Sequence, residues 1–184
     1  VQSNINTFGS LAMAGIGTYT KIEGFAFLPI TSFMMALTTF VSQNRGAKEY
    51  ERARKGARFG LVCSASLAEI IGILIILFAT PLMRLFVDDP QVIEYGVQRA
   101  HYATILFFML AYSHGVSAVL RGVGKSIVPM VVMLVCWCLV RVTLLTTLNM
   151  MFHNILFVYL IYPFTWTLSS IVFFLYYRKI NWQE

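Results

Sequence analysis

Apolar runs of about 20 residues recur along this chain, and short polar or glycine-rich stretches separate them. A helix needs about 20 apolar residues to cross a hydrocarbon layer about 30 Å thick. The pattern predicts five spans, over about 10–43, 56–80, 98–120, 127–148 and 155–177. Residues 1–8 read as the tail of a preceding helix that turns at Gly9, with Ser10 as the N-cap of the next. That next helix is longer than a span requires, so it should tilt, protrude or kink. Pro29 removes one of its backbone hydrogen bonds, and Thr31 and Ser32 can help satisfy the freed carbonyls. Pro81 reads as the end of the second span, and residues 82–94 as a connection turning at Asp88-Asp89-Pro90.

Small residues of the second span fall every four positions, at Gly56, Gly60, Ser64, Ala68 and Gly72. On a helix they form a slowly drifting groove of low relief, which predicts a seam where another backbone approaches closely.

Composition agrees with the pattern. Apolar residues make up 58% of the 184 positions and charged ones 12%, against about 25% charged in soluble domains. A polytopic helical membrane protein follows, with the lipid bilayer as its surroundings. The net charge of +6 could suggest nucleic acid, but its placement argues for the bilayer instead. Arg45, Lys48, Arg52, Arg54, Lys55 and Arg58 form one cluster, Arg121 and Lys125 a second, and Arg178 and Lys179 a third. If the spans alternate, all three lie on one face, opposite Asp88, Asp89 and Glu94. The positive-inside rule then predicts a multi-pass cell-membrane protein with cytoplasmic basic loops and no nucleic-acid partner.

Most candidate chemistry dissolves on inspection. Gly124-Lys125-Ser126 mimics the end of a phosphate-binding loop, but Val119 stands where that motif needs its first glycine. Cys63, Cys136 and Cys138 lie in apolar spans without zinc or disulfide spacing. His101, His114 and His153 are scattered and predict no metal site. No nucleophile triad, paired-acid motif or cofactor fingerprint appears, so neither an enzyme nor a cofactor is expected.

Charges inside spans are different, because each costs about 2.5–3.5 kcal/mol on insertion-based scales. Lys21, Glu23, Glu69 and Arg141 fall there, with Lys21 and Arg141 the only basic ones in this reading. Lys21 and Glu23, two positions apart on a helix, do not face each other. A carboxylate lining a central cavity would attract organic cations and could bind a proton or sodium. Glu69 is a candidate for an ion relay or for ion pairing within the bundle, His114 for a relay or for a hydrogen bond to a neighbouring helix, and Arg141 reads as a structural anchor.

The run Ile22-Glu23-Gly24-Phe25-Ala26-Phe27-Leu28-Pro29, followed by Val41-Ser42-Gln43-Asn44-Arg45-Gly46-Ala47, resembles the multidrug and toxic compound extrusion (MATE) family. That family closes the second run as V-G-Q-N-x-G-A, and Ser42 replaces its glycine here. Pro81-Leu82-Met83-Arg84-Leu85-Phe86, then Leu120-Arg121-Gly122-Val123-Gly124, and Arg141 are similar to its second half. The resemblance implies an all-α bundle that forms the C-terminal six-helix lobe of a twelve-helix transporter, with its first helix truncated. The N-terminal lobe of the same chain would be its partner across the substrate path. It further implies export of small organic cations in exchange for H+ or Na+ by alternating access. Glu23 and Lys21 would lie near the central cavity, Tyr19, Phe27 and Met34 would supply an apolar wall, and Glu69 and His114 would be relay candidates. Some branches place a sodium-binding carboxylate in the span at 98–120; this one has no Asp or Glu there, which points coupling to the other lobe. A lipid-linked oligosaccharide flippase and a non-transporting membrane subunit are the alternatives.

Overall fold

The computed structural model describes residues 8–152 and 154–183. Apart from Phe8, the helix tail expected over residues 1–8 lies outside the described residues, as does His153. The described chain is all-α. Helix α1 spans Ser10–Gly46 and α2 Tyr50–Leu77, with the short α3 at Ala79–Arg84. Helices α4 (Pro90–Thr104) and α5 (Phe107–Gly122) meet at a 56° bend. Helix α6 (Ile127–Met133) runs through a π-helical stretch (Leu134–Val140) into α7 (Arg141–Phe152), and α8 covers Ile155–Arg178. By length and composition, α1, α2, α6–α7 and α8 can each cross a membrane, and the α4–α5 pair makes a broken fifth span.

Helix α1 extends about 55 Å at 1.5 Å per residue, well beyond a hydrocarbon layer. Its buried positions, among them Ala12, Ile16, Tyr19, Ala26, Ile30 and Val41, form a stripe against α2, α4 and α5. Gly9, not Ser10, caps it, with φ 93° and no side-chain cap. Pro29 stays within the helix, and Thr31 and Ser32 both donate to the Leu28 carbonyl, at 2.7 and 3.1 Å. They do not reach the Phe25 carbonyl, the one that Pro29 deprives of its helical donor.

Several expected boundaries shift. The second span ends at Leu77, and Pro81 falls in the first turn of α3, where a missing N–H costs nothing. The third span begins at Pro90 rather than near Gln98. Asp89 caps it by accepting from Gln91 N and Val92 N, and Pro90 takes the first helical position. What reads as a turn signal is therefore a helix start, and Glu94 lies exposed within the third span.

Helix α5 is the hub. Residues 113–120 are all buried, enclosed by α1, α2 and α8. The four-residue seam of α2 is closely packed, but of these three glycines only Gly72 meets a neighbouring backbone: a methyl group at Gly56 would strike the Phe40 ring, one at Gly60 the Leu37 side chain, and one at Gly72 would lie 3.0 Å from the Thr104 carbonyl. Outward positions stay apolar, including Phe59, Val62, Ile70 and Leu74 of α2, as a lipid-facing surface requires.

Two contacts gather the basic clusters at one end. Arg45 Nη1 donates to the Val123 carbonyl, tying the α1–α2 connection to the α5–α6 turn. Arg54 and Arg58 share a cavity with Arg178. Gly124 takes φ 82° in that exposed α5–α6 turn, so Gly124-Lys125-Ser126 is a turn.

Candidate functional site

Glu23 and its neighbours on α1 form the centre of the site. Tyr19, Glu23 and Phe27 recur every four residues and so share one face of the helix. Opposite them α4 presents Arg99, the π-helical stretch presents Trp137, α7 begins with Arg141, and α8 adds Tyr162, Thr165 and Trp166. Bonding from i to i+5 widens the turn locally, a device frequent at functional sites. Trp137 and Arg141, four apart, both reach the same cavity.

The cavity measures about 250 Å³. Glu23 and Arg141 line it together with Phe27, Trp137, Tyr162 and Trp166. Arg99 sits behind them, 1% exposed, with Nη2 3.9 Å from Glu23 Oε2. That is an ion-pair contact longer than a hydrogen bond. Its guanidinium lies over the Tyr162 ring at 4.1 Å and the Tyr19 ring at 5.5 Å. Arg141 lies over Trp137 at 4.8 Å and Tyr162 at 4.6 Å, so one tyrosine serves both arginines. Such contacts are worth about 2 kcal/mol when desolvated. They make it tolerable to hold guanidinium groups inside the bundle.

Hydrogen bonds fix the second arginine. Arg141 Nε and Nη2 both donate to Thr165 Oγ1, at 3.1 and 2.6 Å. The Thr165 hydroxyl in turn donates to the Tyr162 carbonyl at 3.0 Å. Arg99 is held less completely: its Nε and Nη1, and the Tyr19 hydroxyl, are buried without a hydrogen-bond partner among the described residues. Buried donors of this kind ordinarily find partners. The site thus combines one carboxylate, two guanidinium groups and an aromatic wall, with hydrogen-bonding capacity left over.

The family model MatE matches residues 2–147. This chain belongs to the MatE family. A probable multidrug resistance protein NorM of Thermotoga maritima is 32% identical over 124 residues, which cover 67% of this chain and 27% of that relative. The FAD transporter of Shewanella oneidensis is 31% identical over 84 residues, 46% of this chain and 19% of that protein. A crystal structure of MATE in complex with MaD3S superposes with TM-score 0.88 at 15% identity, covering 97% of this chain and 41% of that one. The chain thus spans well under half the length of the relatives it matches.

Within this MatE chain the residues expected at the site divide. Glu23 and Phe27 line the cavity, and Tyr19 is buried behind it beneath Arg99. Lys21 is exposed on another face of α1. Met34 lines a separate cleft of about 380 Å³ with Thr38, Thr39 and Arg121. His114 is buried edge-on between Phe27 and Trp137, with centroids at 5.0 and 4.9 Å, and its Nδ1 lies 2.9 Å from the Leu110 carbonyl. Glu69 stands apart from the cavity and accepts from the Phe108 backbone N–H at 3.0 Å.

Arg99 is the residue that the sequence reading lacks, and it corrects the statement that Lys21 and Arg141 are the only basic groups within spans. Starting the third span near Gln98 put Arg99 at a membrane edge. The signal was present: Val92, Gly96, Arg99, Ala100 and Ala103 continue the buried helical stripe back toward Pro90. Among the described residues no cluster of three His, Cys, Asp or Glu side chains could hold a metal ion.

Proposed function

We propose that the complete protein is a secondary antiporter, and not an enzyme, in which this chain forms one lobe. It exports small organic compounds in exchange for H+ or Na+ by alternating access, from the cell membrane, with the basic end in the cytoplasm. Family membership and the multidrug relatives support the transport class. The observation that carries the reading is the Glu23–Arg99 pair beside an aromatic cavity inside a membrane bundle. An intramembrane carboxylate in loose contact with a guanidinium can exchange that partner for a proton, a sodium ion or a cationic substrate. Flat cations suit Phe27 and Trp166, the lining aromatic rings that no guanidinium of the described residues covers.

The test is ethidium efflux from cells expressing the full-length protein, with the proton and sodium gradients collapsed separately. Efflux that fails with one gradient and persists without the other supports the antiporter and names its ion. A well-inserted protein that exports neither ethidium nor an anionic dye argues for the flippase or the non-transporting subunit.

One observation favours a second reading of the substrate. Two arginines against one carboxylate give this half of the site a positive balance, which suits a compound carrying a phosphate or carboxylate. The Shewanella relative's name, FAD transporter, is consistent with that chemistry. Energy-dependent export of an anionic dye, in cells that do not export ethidium, would favour it.

A further inference from the structure

From mid-span toward the basic end of the bundle, α2 and α8 each pack against α5. Between them runs an apolar groove of about 320 Å³, walled by Ala65 of α2 and by Ile171 and Phe174 of α8. Its floor is Phe108, Met109 and Tyr112 of α5. The one hydroxyl on its α8 wall, that of Ser170, donates to the Met109 carbonyl at 2.8 Å, so the groove offers a ligand little but hydrocarbon.

Beyond its end lies a second cavity of about 360 Å³ with the opposite character. Arg54 and Arg58, four apart on one face of α2, enter it from one side, and Arg178 enters from the last turn of α8. Tyr177 and Trp182 complete it, edge-on with centroids 6.1 Å apart. The two cavities join through one contact: the Arg178 guanidinium lies 5.8 Å from the centroid of the Phe174 ring.

Three like charges converging on one concavity repel, yet among the described residues none of the three forms an ion pair. Lys55, on the same helix, is paired with Glu51 at 2.8 Å. The buried Tyr177 hydroxyl lies beside the Arg58 guanidinium in the same concavity. A phosphate would neutralise the arginines and match their planar donors. Tryptophan and tyrosine mark headgroup depth on membrane proteins. From Ser170 to Arg178 the wall of α8 rises about 12 Å, enough for much of an acyl chain to lie below a headgroup.

We propose that the groove between α2 and α8 holds an anionic phospholipid, its phosphate among Arg54, Arg58 and Arg178 and an acyl chain on the floor that α5 supplies. Charge and hydrophobicity are stacked here in the order a phospholipid presents them, which a free phosphate would not require. The site lies apart from the Glu23 cavity and does not depend on what that cavity transports.

Native mass spectrometry of the full-length protein in detergent tests this, with phosphatidylglycerol and phosphatidylcholine of matched chains and with inorganic phosphate as competitor. The protein should retain phosphatidylglycerol over phosphatidylcholine. An Arg58→Gln/Arg178→Gln variant should lose that preference by on the order of tenfold. Ala65→Trp, which fills the groove without touching charge, should lower retention of both lipids. A Lys48→Gln/Lys125→Gln variant removes equal charge from exposed connections and should retain the wild-type preference. Equal retention of the two lipids by the wild type would overturn the proposal, as would an equal loss in the Lys48/Lys125 variant. Displacement of bound lipid by millimolar inorganic phosphate would assign the arginines to free phosphate instead. Wild-type retention by Ala65→Trp would place the acyl chain elsewhere, or the groove under another part of the protein.

Discussion

The Glu69 carboxylate accepts a hydrogen bond from the Phe108 backbone N–H at 3.0 Å, where the α4–α5 pair bends by 56°. Phe108 lies in the first turn of α5, whose N–H groups have no partner within their own helix. A break in mid-span leaves such donors away from water, and Glu69, reaching over from α2, satisfies one of them. Its charge also complements the positive end of α5. Gly72, one turn further along α2, makes the approach possible, because even a methyl group there would crowd Thr104 and Phe107. A carboxylate at this point is accounted for by the bend it caps.

Substitution separates that role from ion transport. Glu69→Leu strands the Phe108 donor and should cost about 1–3 kcal/mol of stability. Glu69→Gln keeps an acceptor and should lose at most about 1 kcal/mol, the charge–dipole part. Thermal unfolding of the purified full-length protein reads both. Equal losses would rule out the hydrogen bond as the reason for Glu69. Transport abolished by Gln with stability intact would make it a relay.

Glu23 should behave in the opposite way. Glu23→Gln keeps the side-chain volume and leaves Arg99 its two tyrosine faces, so protein abundance should hold while efflux falls to the level of cells lacking the protein. Arg99 is more deeply buried than Glu23, and Arg99→Met removes a guanidinium that three groups surround. The contacts of that guanidinium over the Tyr162 and Tyr19 rings are worth about 2 kcal/mol when desolvated, and they survive Glu23→Gln but not Arg99→Met, so Arg99→Met should lower abundance as well. Unchanged efflux by Glu23→Gln would sink the assignment of Glu23 to the transport path.

The fold was legible because a membrane imposes one rule, long apolar helices, and residue patterns obey it over 20 positions at a time. The seam at Gly56, Gly60 and Gly72 was legible for a related reason: a missing side chain marks close approach wherever the partner lies. What stayed hidden depends on partners distant in sequence. Nothing near Arg99 announces Glu23, 76 positions earlier in the chain. The π-helical stretch that brings Trp137 and Arg141 into one cavity leaves no mark in an apolar run. Lys21 looked like Glu23 in sequence, since both interrupt the same span, and only the 200° between them separates a cavity residue from an exposed one.

Close packing of α1 on α4 sets the position of Arg99, and Gly15 controls it. A methyl group at Gly15 would lie 2.5 Å from the Val92 carbonyl and 2.7 Å from Tyr95 Cβ, both on α4. Gly15→Ala must therefore push the two helices apart one turn from Tyr19, at a cost of about 1–3 kcal/mol. Gly17→Ala meets nothing within 4 Å and should be neutral or slightly stabilising. Expression level and unfolding temperature should separate the two variants. Efflux per molecule should fall only for Gly15→Ala, since displacing α4 draws Arg99 away from Glu23.

Arg141 depends on a single hydroxyl for its orientation. Thr165 Oγ1 takes both its Nε and Nη2 donors, so Thr165→Val, nearly the same shape, leaves two charged donors without an acceptor. Hydrogen bonds to charged groups contribute about 1.5–3 kcal/mol, and the unfolding temperature should fall accordingly. Thr165→Ser restores the oxygen without the methyl group and should remain near wild type. A freed Arg141 can still stack on Trp137 and Tyr162 but is no longer anchored to α8, so the apparent affinity for the exported compound should weaken in the valine variant. Wild-type stability and affinity in Thr165→Val would mean that the two aromatic rings alone hold the guanidinium in place.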